Sequence, residues 1–257
     1  MTVAGNALVE VDRPCATRRS IASGVHDGNV GVFYACTYCR MHTPDHVCII
    51  TPEMPGQCST YDWSDARRKS SREPAGMQRP VSTGRVLSVL RGEWEGVNAF
   101  VSADTRGTLR RLCLHSLMDA PPPVSPCCEC IVAVFPEANG VVVVDREYTG
   151  MTPLGMTFAQ ILAHIRGKQT QGFFGCARRA LLAEGFLAAE GGRRRVVWMP
   201  RALRYRLGVE RCRCTAAAGM RRARFTIADE GVGVTPDAVC AFLRAVHHPA
   251  GTLSPLV

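Results

Sequence analysis

Hydrophobic and polar residues alternate in short blocks along this chain, and the second half carries the clearest secondary-structure patterns. Two runs rich in β-branched residues, Ile131–Phe135 and Val141–Asp145, flank a Pro-Glu-Ala-Asn-Gly sequence that is typical of a turn. They predict a pair of strands, and the second, which is almost entirely apolar, should be buried on both faces. Val196–Met199 predicts a further short strand.

Helical periodicity is found in four other segments. Thr157, and Thr235 followed by Pro236, each precede apolar residues at helical spacing. A threonine cap and a proline in the first turn are both helix-start signals. Two more helices are predicted over Asp104–Met118 and Ala177–Glu184.

Helices that alternate with strands predict the fold class. The pattern favours an α/β domain, with α+β as the alternative, built on a mixed sheet with flanking helices and a loop-built cysteine metal site. Residues 1–32 show no sustained periodicity and are interpreted as an N-terminal arm, and residues 33–257 as the metal-cluster domain. The charged, Pro- and Gly-rich segment Arg67–Pro80 predicts an exposed connection.

Composition narrows the class of protein. With 257 residues, 46% of them hydrophobic, the chain can bury a substantial core. Its apolar runs are far shorter than the roughly 18–20 residues of a membrane span, and residues 1–13 lack the pattern of a secretory signal. We therefore expect a cytoplasmic protein with no membrane partner.

The formal charge of +9 comes almost wholly from arginine. Arginines cluster at Arg193–Arg195, Arg201–Arg206 and Arg221–Arg224. No helix-turn-helix, RNA-binding strand motif or aromatic ladder accompanies them, so a solvated basic face is favoured over a nucleic-acid site. A basic surface also suits an anionic substrate such as a nucleotide-containing thiol.

Thirteen cysteines are an odd number in a chain that is long for a disulfide scaffold, which favours metal binding. Four of them lie within 23 residues, among Pro and Gly: Cys36, Cys39, Cys48 and Cys58. Four thiolates on such a loop suit a four-iron four-sulfur cluster. Tetrahedral zinc is the open alternative, although zinc ribbons usually present two close pairs of cysteines. Buried apolar thiols are the third interpretation.

Other cysteines and histidines carry weaker patterns. Cys127, Cys128 and Cys130 stand immediately before the first predicted strand, where a thiol can reach a metal site or belong to the core. Cys212 and Cys214 are interpreted as a surface pair. No catalytic role is assigned to His115, His164, His247 and His248.

Several longer motifs resemble a known family. They are Cys36–Cys39, Asp45–Glu53, Glu129–Ala133, Pro136–Gly140, Gly150–Phe158, Val197–Pro200 and, near the end, His248–Ala250. In this order they are similar to the carboxyl-terminal domain of acetyl-CoA synthase, the beta subunit of the carbon monoxide dehydrogenase/acetyl-CoA synthase complex. The resemblance covers roughly residues 33–257.

In that family the domain carries a four-iron four-sulfur cluster, bridged by a cysteine to a proximal nickel and through it to a distal nickel. The resemblance implies that Cys36, Cys39, Cys48 and Cys58 hold the cluster, with Cys39 as the bridging thiolate, and that Cys39 and Cys127 are the catalytic metal ligands. It implies an acyltransferase that joins a corrinoid-borne methyl group, carbon monoxide and coenzyme A. Carbon monoxide dehydrogenase and the corrinoid iron–sulfur protein would be its partners.

Three departures from the family pattern are present, and the altered nickel motif and the missing amino-terminal domains speak against turnover. Ser125-Pro126-Cys127 stands where the family has the Cys-Gly-Cys motif of the distal nickel; proline has no amide hydrogen to lose, and serine replaces a soft thiolate. A slip of this motif to Cys128-Glu129-Cys130 is the alternative. His42 replaces a phenylalanine over the proximal nickel, where it could ligate a metal, hydrogen-bond a ligand or face water. The family's amino-terminal domains have no counterpart in 32 residues.

Two functions therefore compete. One is an acetyl-CoA synthase with doubtful nickel; the other is a non-catalytic paralogue that retains the iron–sulfur cluster for electron transfer, redox sensing or assembly. A zinc-stabilised module that binds nucleic acid ranks third, because it does not account for the ordered motifs.

Overall fold

A computed structural model describes residues 24–41, 43–44, 46–208, 212–213 and 224–257. These residues form an α+β fold with a mixed sheet, as predicted. The α-helices are α1 (Trp63–Arg72), α2 (Glu95–Asp104), α3 (Phe158–Ile165), α4 (Arg201–Leu207) and α5 (Pro236–Ala245). The strands are β1 (Val32–Cys36), β2 (Cys48–Ile50), β3 (Gln78–Ser82), β4 (Val86–Ser88), β5 (Glu93–Trp94), β6 (Cys130–Phe135), β7 (Gly140–Asp145), β8 (Phe173–Cys176), β9 (Val196–Trp198), β10 (Cys212–Arg213) and β11 (Arg224–Phe225). Within the described ranges, no helix combines the length and apolar character needed to cross a bilayer.

The central sheet has the strand order β8-β6-β7-β9. β6 pairs antiparallel with both β7 and β8, and β9 runs parallel to β7. The predicted pair of strands is confirmed, and all six residues of β7 are buried. The turn between them places Asn139 in the left-handed region, with φ of 47°, which asparagine tolerates better than most residues.

The two helices with threonine start signals are also confirmed. At α3, Thr157 Oγ1 accepts a hydrogen bond from the Gln160 amide, and the Gln160 side chain accepts one from the Thr157 amide. At α5, Thr235 Oγ1 accepts from the Ala238 amide, and Pro236 occupies the first turn.

A second sheet of three strands, in the order β2-β1-β3, forms the N-terminal half. β1 lies in the middle and pairs antiparallel with both neighbours. Pro80 lies on the edge strand β3, where its missing amide hydrogen costs no internal pairing. This sheet packs on α2, and its core includes Phe33, Trp94, Val97 and Leu112.

The prediction of an exposed connection over Arg67–Pro80 is wrong. The segment contains most of α1 and the first three residues of β3. Asp62 caps α1 by accepting a hydrogen bond from the Asp65 amide at 2.8 Å, and the helix buries Ala66 and Ser70. Its many charged side chains lie on the solvent side. The buried face consists of only two small residues, so the sequence shows no hydrophobic pattern that would indicate a helix.

The helix predicted over Asp104–Met118 is also wrong, because α2 ends where that helix should begin. The Thr105 hydroxyl accepts a hydrogen bond from the Leu109 amide, and Arg106 and Gly107 adopt left-handed conformations. The leucines that follow reach the core from an irregular segment. The helix predicted over Ala177–Glu184 is confirmed only in part, as a 3-10 helix at Arg178–Leu182.

One arginine of the predicted solvated face is buried. Arg195 is 2% exposed and donates hydrogen bonds to the carbonyls of Glu190, Asn139 and Ser254, at 2.6–2.9 Å. It therefore ties the entry of β9 to the C-terminal segment. The cluster Arg221–Arg224 lies outside the residues whose side chains are described.

Candidate metal centre

One β-hairpin holds three of the four predicted cluster ligands. Cys36 ends β1 and Cys48 begins β2, and the two residues are direct partners in the antiparallel pair. Cys39 lies between them in a one-turn 3-10 helix, Tyr38–Met41, and Cys58 lies in the turn region after β2. The fold of the hairpin and of the turn region after it therefore brings these thiols into one region of the protein.

Cys127 completes this group from a distant part of the chain. Its sulfur lies 2.7 Å from Cys39 Sγ and 2.8 Å from Ser125 Oγ. It also shares a hydrogen bond with the Cys58 thiol. The five cysteines predicted to bind metal are thus brought together, and two sulfurs separated by 88 residues are in direct contact.

The electrostatics of the group distinguish one thiol from the rest. The hydrogen bond from Cys127 lowers the pKa of Cys39, whereas the same contact raises the pKa of Cys127. Burial raises the pKa of Cys36 and of Cys48, and contact with Cys127 raises that of Cys58. Cys39 is therefore the sulfur on which negative charge is best accommodated.

Two buried glutamines donate hydrogen bonds to sulfurs of the candidate centre. The backbone amide of Gln57 lies 3.4 Å from Cys48 Sγ, and Gln78 Nε2 lies 3.6 Å from Cys36 Sγ. Such donors stabilise negative charge on sulfur. Nothing in the residue type marked these glutamines as part of a metal site, so sequence reasoning missed both.

Gln57 also connects the Cys58 loop to the loop that carries Cys127. Its side-chain nitrogen donates to the Pro123 carbonyl at 3.1 Å, and its side-chain oxygen accepts from the Ser125 amide at 3.2 Å. Its backbone carbonyl accepts from the Glu129 amide at 3.0 Å. These contacts set the position of Cys127 relative to the hairpin.

Charged side chains fix the same two loops from the other side. Glu129 accepts hydrogen bonds from the Ser59 hydroxyl and from the Arg178 amide. Arg146 donates to the carbonyl of Cys128 at 2.8 Å and to that of Pro126 at 3.1 Å. Both loops are therefore held in place by hydrogen bonds as well as by chain connectivity.

The Ser125-Pro126-Cys127 tripeptide does not fit a square-planar nickel site made of two thiolates and two deprotonated amides. Pro126 has no amide hydrogen to lose, and its carbonyl accepts from Arg146. The Cys127 amide donates a hydrogen bond to Ser125 Oγ at 3.3 Å. As a metal ligand, that hydroxyl oxygen is hard, whereas the thiolate it replaces is soft. One thiol, Cys127, remains from the tripeptide.

The slipped motif at Cys128-Glu129-Cys130 does not fit either. Cys128 packs in the hydrophobic cluster that contains Ile131 and α3, whereas Cys130 packs in a different cluster with Cys176. Burial raises the pKa of Cys128 to about 12 and that of Cys130 further. The two side chains therefore pack in different apolar clusters.

The remaining predicted positions have other roles or are not described. His42 and Cys214 lie outside the described residues, and for Cys212 the description covers the backbone alone, in β10. His164 and His247 are exposed, and His248 Nδ1 accepts a hydrogen bond from the Ala250 amide. None of these three lies among the cysteines of the candidate centre.

The fold and this group of sulfurs define an α+β protein with a candidate thiolate metal centre. The family model that describes the C-terminal part of the ACS/CODH beta subunit matches residues 16–257. The chain therefore belongs to that family, and the resemblance seen in the motifs is confirmed.

Individual relatives agree with this assignment. The chain is 36% identical, over 91% of its length, to the carbon monoxide dehydrogenase/acetyl-CoA synthase subunit alpha of Moorella thermoacetica, of which it covers 32%. It is 35% identical, over 89% of its length, to the acetyl-CoA decarbonylase/synthase complex subunit beta of Methanopyrus kandleri, of which it covers 47%. The chain thus spans about a third to a half of these two relatives.

A solved structure also matches in part. The C-terminal domain of an acetyl-coenzyme A synthase alpha subunit is 35% identical to this chain, with a TM-score of 0.42. The match covers 51% of this chain and 98% of that domain.

Proposed function

We propose that this chain is an iron–sulfur protein of the acetyl-CoA synthase family, in which Cys36, Cys39, Cys48 and Cys58 hold a four-iron four-sulfur cluster. The convergence of these thiols, three on one hairpin and Cys58 in the turn region after it, carries the proposal. Four soft thiolates suit this cluster, which supplies one-electron redox chemistry when bound. Residues 33–257 would form the metal-cluster domain and residues 1–32 an arm. The free cysteines of the described residues fit a cytoplasmic protein, because thiols remain reduced in that compartment.

The chain's own residues prepare this site for a cationic group. Burial keeps the Cys36 and Cys48 thiols neutral in its absence, because their pKa values are raised. As ligands of a metal group, both cysteines would bind as deprotonated thiolates. The amides of Gln57 and Gln78 then stabilise the charge on two of the sulfurs.

The role we propose is electron transfer, redox sensing or assembly with a partner. The tripeptide at Ser125-Pro126-Cys127 lacks the amide and the second thiol of the dithiolate–diamide nickel site. Cys127 remains beside Cys39, where the two sulfurs can share one further soft metal ion. That arrangement retains the cluster without the dinickel centre.

Acetyl-CoA synthesis is the second candidate, and the contact between Cys39 and Cys127 favours it. A shared ion at this place would make these two cysteines the catalytic metal ligands. The relatives are subunits of complexes named for carbon monoxide dehydrogenase and acetyl-CoA synthase. By that analogy the partners would be carbon monoxide dehydrogenase and the corrinoid iron–sulfur protein, with coenzyme A as a substrate.

Metal and acid-labile sulfide analysis of protein purified without oxygen tests both candidates. We expect about four iron and four sulfide per chain, as a Cys₄ cubane requires. Cys58→Ala should lose them, whereas Cys240→Ala, on α5, should not. Iron without nickel supports the cluster-only protein. Nickel that falls in Cys127→Ala supports the synthase, and zinc alone would overturn both.

A further inference from the structure

Three side chains with metal-binding atoms meet at a place that contains none of the cysteines. Asp27 begins a short 3-10 helix before β1, Glu53 follows β2, and His115 lies in the irregular segment after α2. One ligand atom of each lies within 4.8 Å of the other two. Asp27 and His115 are buried, with side chains 4% and 6% exposed.

The two carboxylates are held side by side by backbone hydrogen bonds. The Asp27 amide donates to Glu53 Oε1 at 3.2 Å, and the Glu53 amide donates to Asp27 Oδ1 at 3.0 Å. Thr51 Oγ1 donates to Asp27 Oδ2 at 2.8 Å. Burial and the charge of Asp27 raise the pKa of Glu53. Two acidic groups are therefore kept together where a bound cation would relieve their repulsion.

His115 presents a ring nitrogen to this pair. Its Nε2 is buried, lies 3.5 Å from Asp27 Oδ2, and has no hydrogen-bond partner among the described residues. A Cβ atom at Gly92 or Gly185 would come within 2.5–2.6 Å of the imidazole ring, so both glycines leave room for it. The ring packs edge-on against Trp94, with centroids 5.9 Å apart. The imidazole is thus held in one place, with its Nε2 facing Asp27.

We propose that Asp27, Glu53 and His115 bind one divalent first-row metal ion of the Mn²⁺ or Zn²⁺ type. One imidazole nitrogen and two carboxylates suit such ions, whereas Ca²⁺ and Mg²⁺ prefer oxygen ligands and an iron–sulfur cluster requires thiolates. The ion joins three segments that are distant in sequence: the 3-10 helix before β1, the end of β2 and the segment after α2. Its role is to stabilise the N-terminal half of the fold.

Titration with Mn²⁺ separates this site from the cysteines, because Mn²⁺ favours oxygen and nitrogen over thiolate ligands. Loss of the electron paramagnetic resonance signal of free Mn²⁺ reports binding to protein that retains its cysteine centre. We expect one ion per chain, bound at least about tenfold more weakly by His115→Gln and by Glu53→Gln. The exposed His164→Gln variant and the Cys39→Ser variant should bind like the wild type.

Thermal unfolding gives an independent readout. Mn²⁺ should raise the unfolding temperature of the wild type and of Cys39→Ser, but not that of His115→Gln, because ligands stabilise only the state they bind. Glu53→Gln provides the same comparison if the histidine variant does not fold. Failure of the wild type to bind Mn²⁺ or Zn²⁺, or unchanged binding by a folded ligand variant, would overturn the proposal. Cys39→Ser removes a proposed cluster ligand but should still bind Mn²⁺. The Mn²⁺ result therefore does not depend on whether the cysteines bind a cluster.

Discussion

Gln57 accepts a hydrogen bond from the backbone amide of Ser125, with 3.2 Å between Gln57 Oε1 and the amide nitrogen, although 68 residues separate them. Gln57 immediately precedes Cys58, and Ser125 stands two residues before Cys127. This contact therefore joins the two loops that bring distant sulfurs together. Cysteine spacing alone does not identify such a connection.

Replacing Gln57 with leucine should destabilise the protein. The change removes the bonds to Pro123 and Ser125 and leaves a buried carbonyl and a buried amide without these partners. We expect the free energy of unfolding to fall by about 2 kcal/mol. Denaturant unfolding followed by circular dichroism measures it.

Gln169→Leu is the matched control for Gln57. Gln169 is exposed, and its side chain donates to the Arg111 carbonyl. Its replacement should change the free energy of unfolding by less than about 0.5 kcal/mol. Equal effects of the two substitutions would contradict the role given to Gln57.

The side chain of Gln78 should tune the reduction potential of the proposed cluster. Its donor to Cys36 Sγ favours the reduced cluster, which carries more negative charge. Gln78→Leu should therefore lower the potential, by roughly 40 mV if the bond contributes about 1 kcal/mol to a one-electron couple. A redox titration followed by electron paramagnetic resonance measures this, with Gln169→Leu again as control. An unchanged potential in Gln78→Leu would show that Gln78 does not stabilise charge on the proposed cluster.

His248 should make stability depend on pH. Burial lowers its pKa to about 4, against roughly 6.5 in an unfolded chain. Between these values the unfolded state binds a proton that the folded state does not, so stability falls as the pH falls from about 6.5 to about 4. The slope for this group reaches about 1.4 kcal/mol per pH unit.

His248→Gln should reduce that slope, and the exposed His164→Gln should not. Some pH dependence will remain in the variant, because burial and the neighbouring Arg40 lower the pKa of His46 to about 4 as well. Denaturant unfolding at a series of pH values separates the contributions. A slope that is the same in wild type and His248→Gln would show that His248 titrates normally in the folded protein.

Arg195 should contribute strongly to stability, unlike its neighbour. Arg195→Met leaves three carbonyls without their charged donor, and we expect a loss of about 3 kcal/mol or more. Arg194 is exposed, so Arg194→Met should change the free energy of unfolding by less than about 0.5 kcal/mol. A comparable loss in both variants would mean that the positive charge of the segment stabilises the folded protein, and that the buried contacts of Arg195 do not.

Local patterns were sufficient to predict some elements and not others. β6, β7, α3 and α5 were predicted because their turns, caps and apolar runs lie within a few neighbouring residues. α1 was missed because its buried face is small and its solvent face is densely charged. The leucines of residues 109–117 imitate a helix, but the left-handed Arg106 and Gly107 end α2 before them.

The candidate site was predictable where it depends on one hairpin. Cys36, Cys39 and Cys48 are close in sequence, so their convergence followed from spacing. The approach of Cys127 to Cys39 depends on tertiary structure and was suggested by the family resemblance alone. The grouping of Asp27, Glu53 and His115 was not foreseen, because no short-range spacing links a lone histidine to carboxylates in distant segments.

The three-stranded sheet and the entry loop of the central sheet meet at the cysteines. Cys36 and Cys48 belong to strands of the three-stranded sheet, whereas Cys127 lies on the loop that enters the central sheet. The distance between the Cys39 and Cys127 sulfurs therefore depends on how the two sheets are aligned. A partner that shifts one sheet against the other would change this separation, and any spectroscopic signal from a metal held between the two sulfurs would report the shift at a distance from the contact.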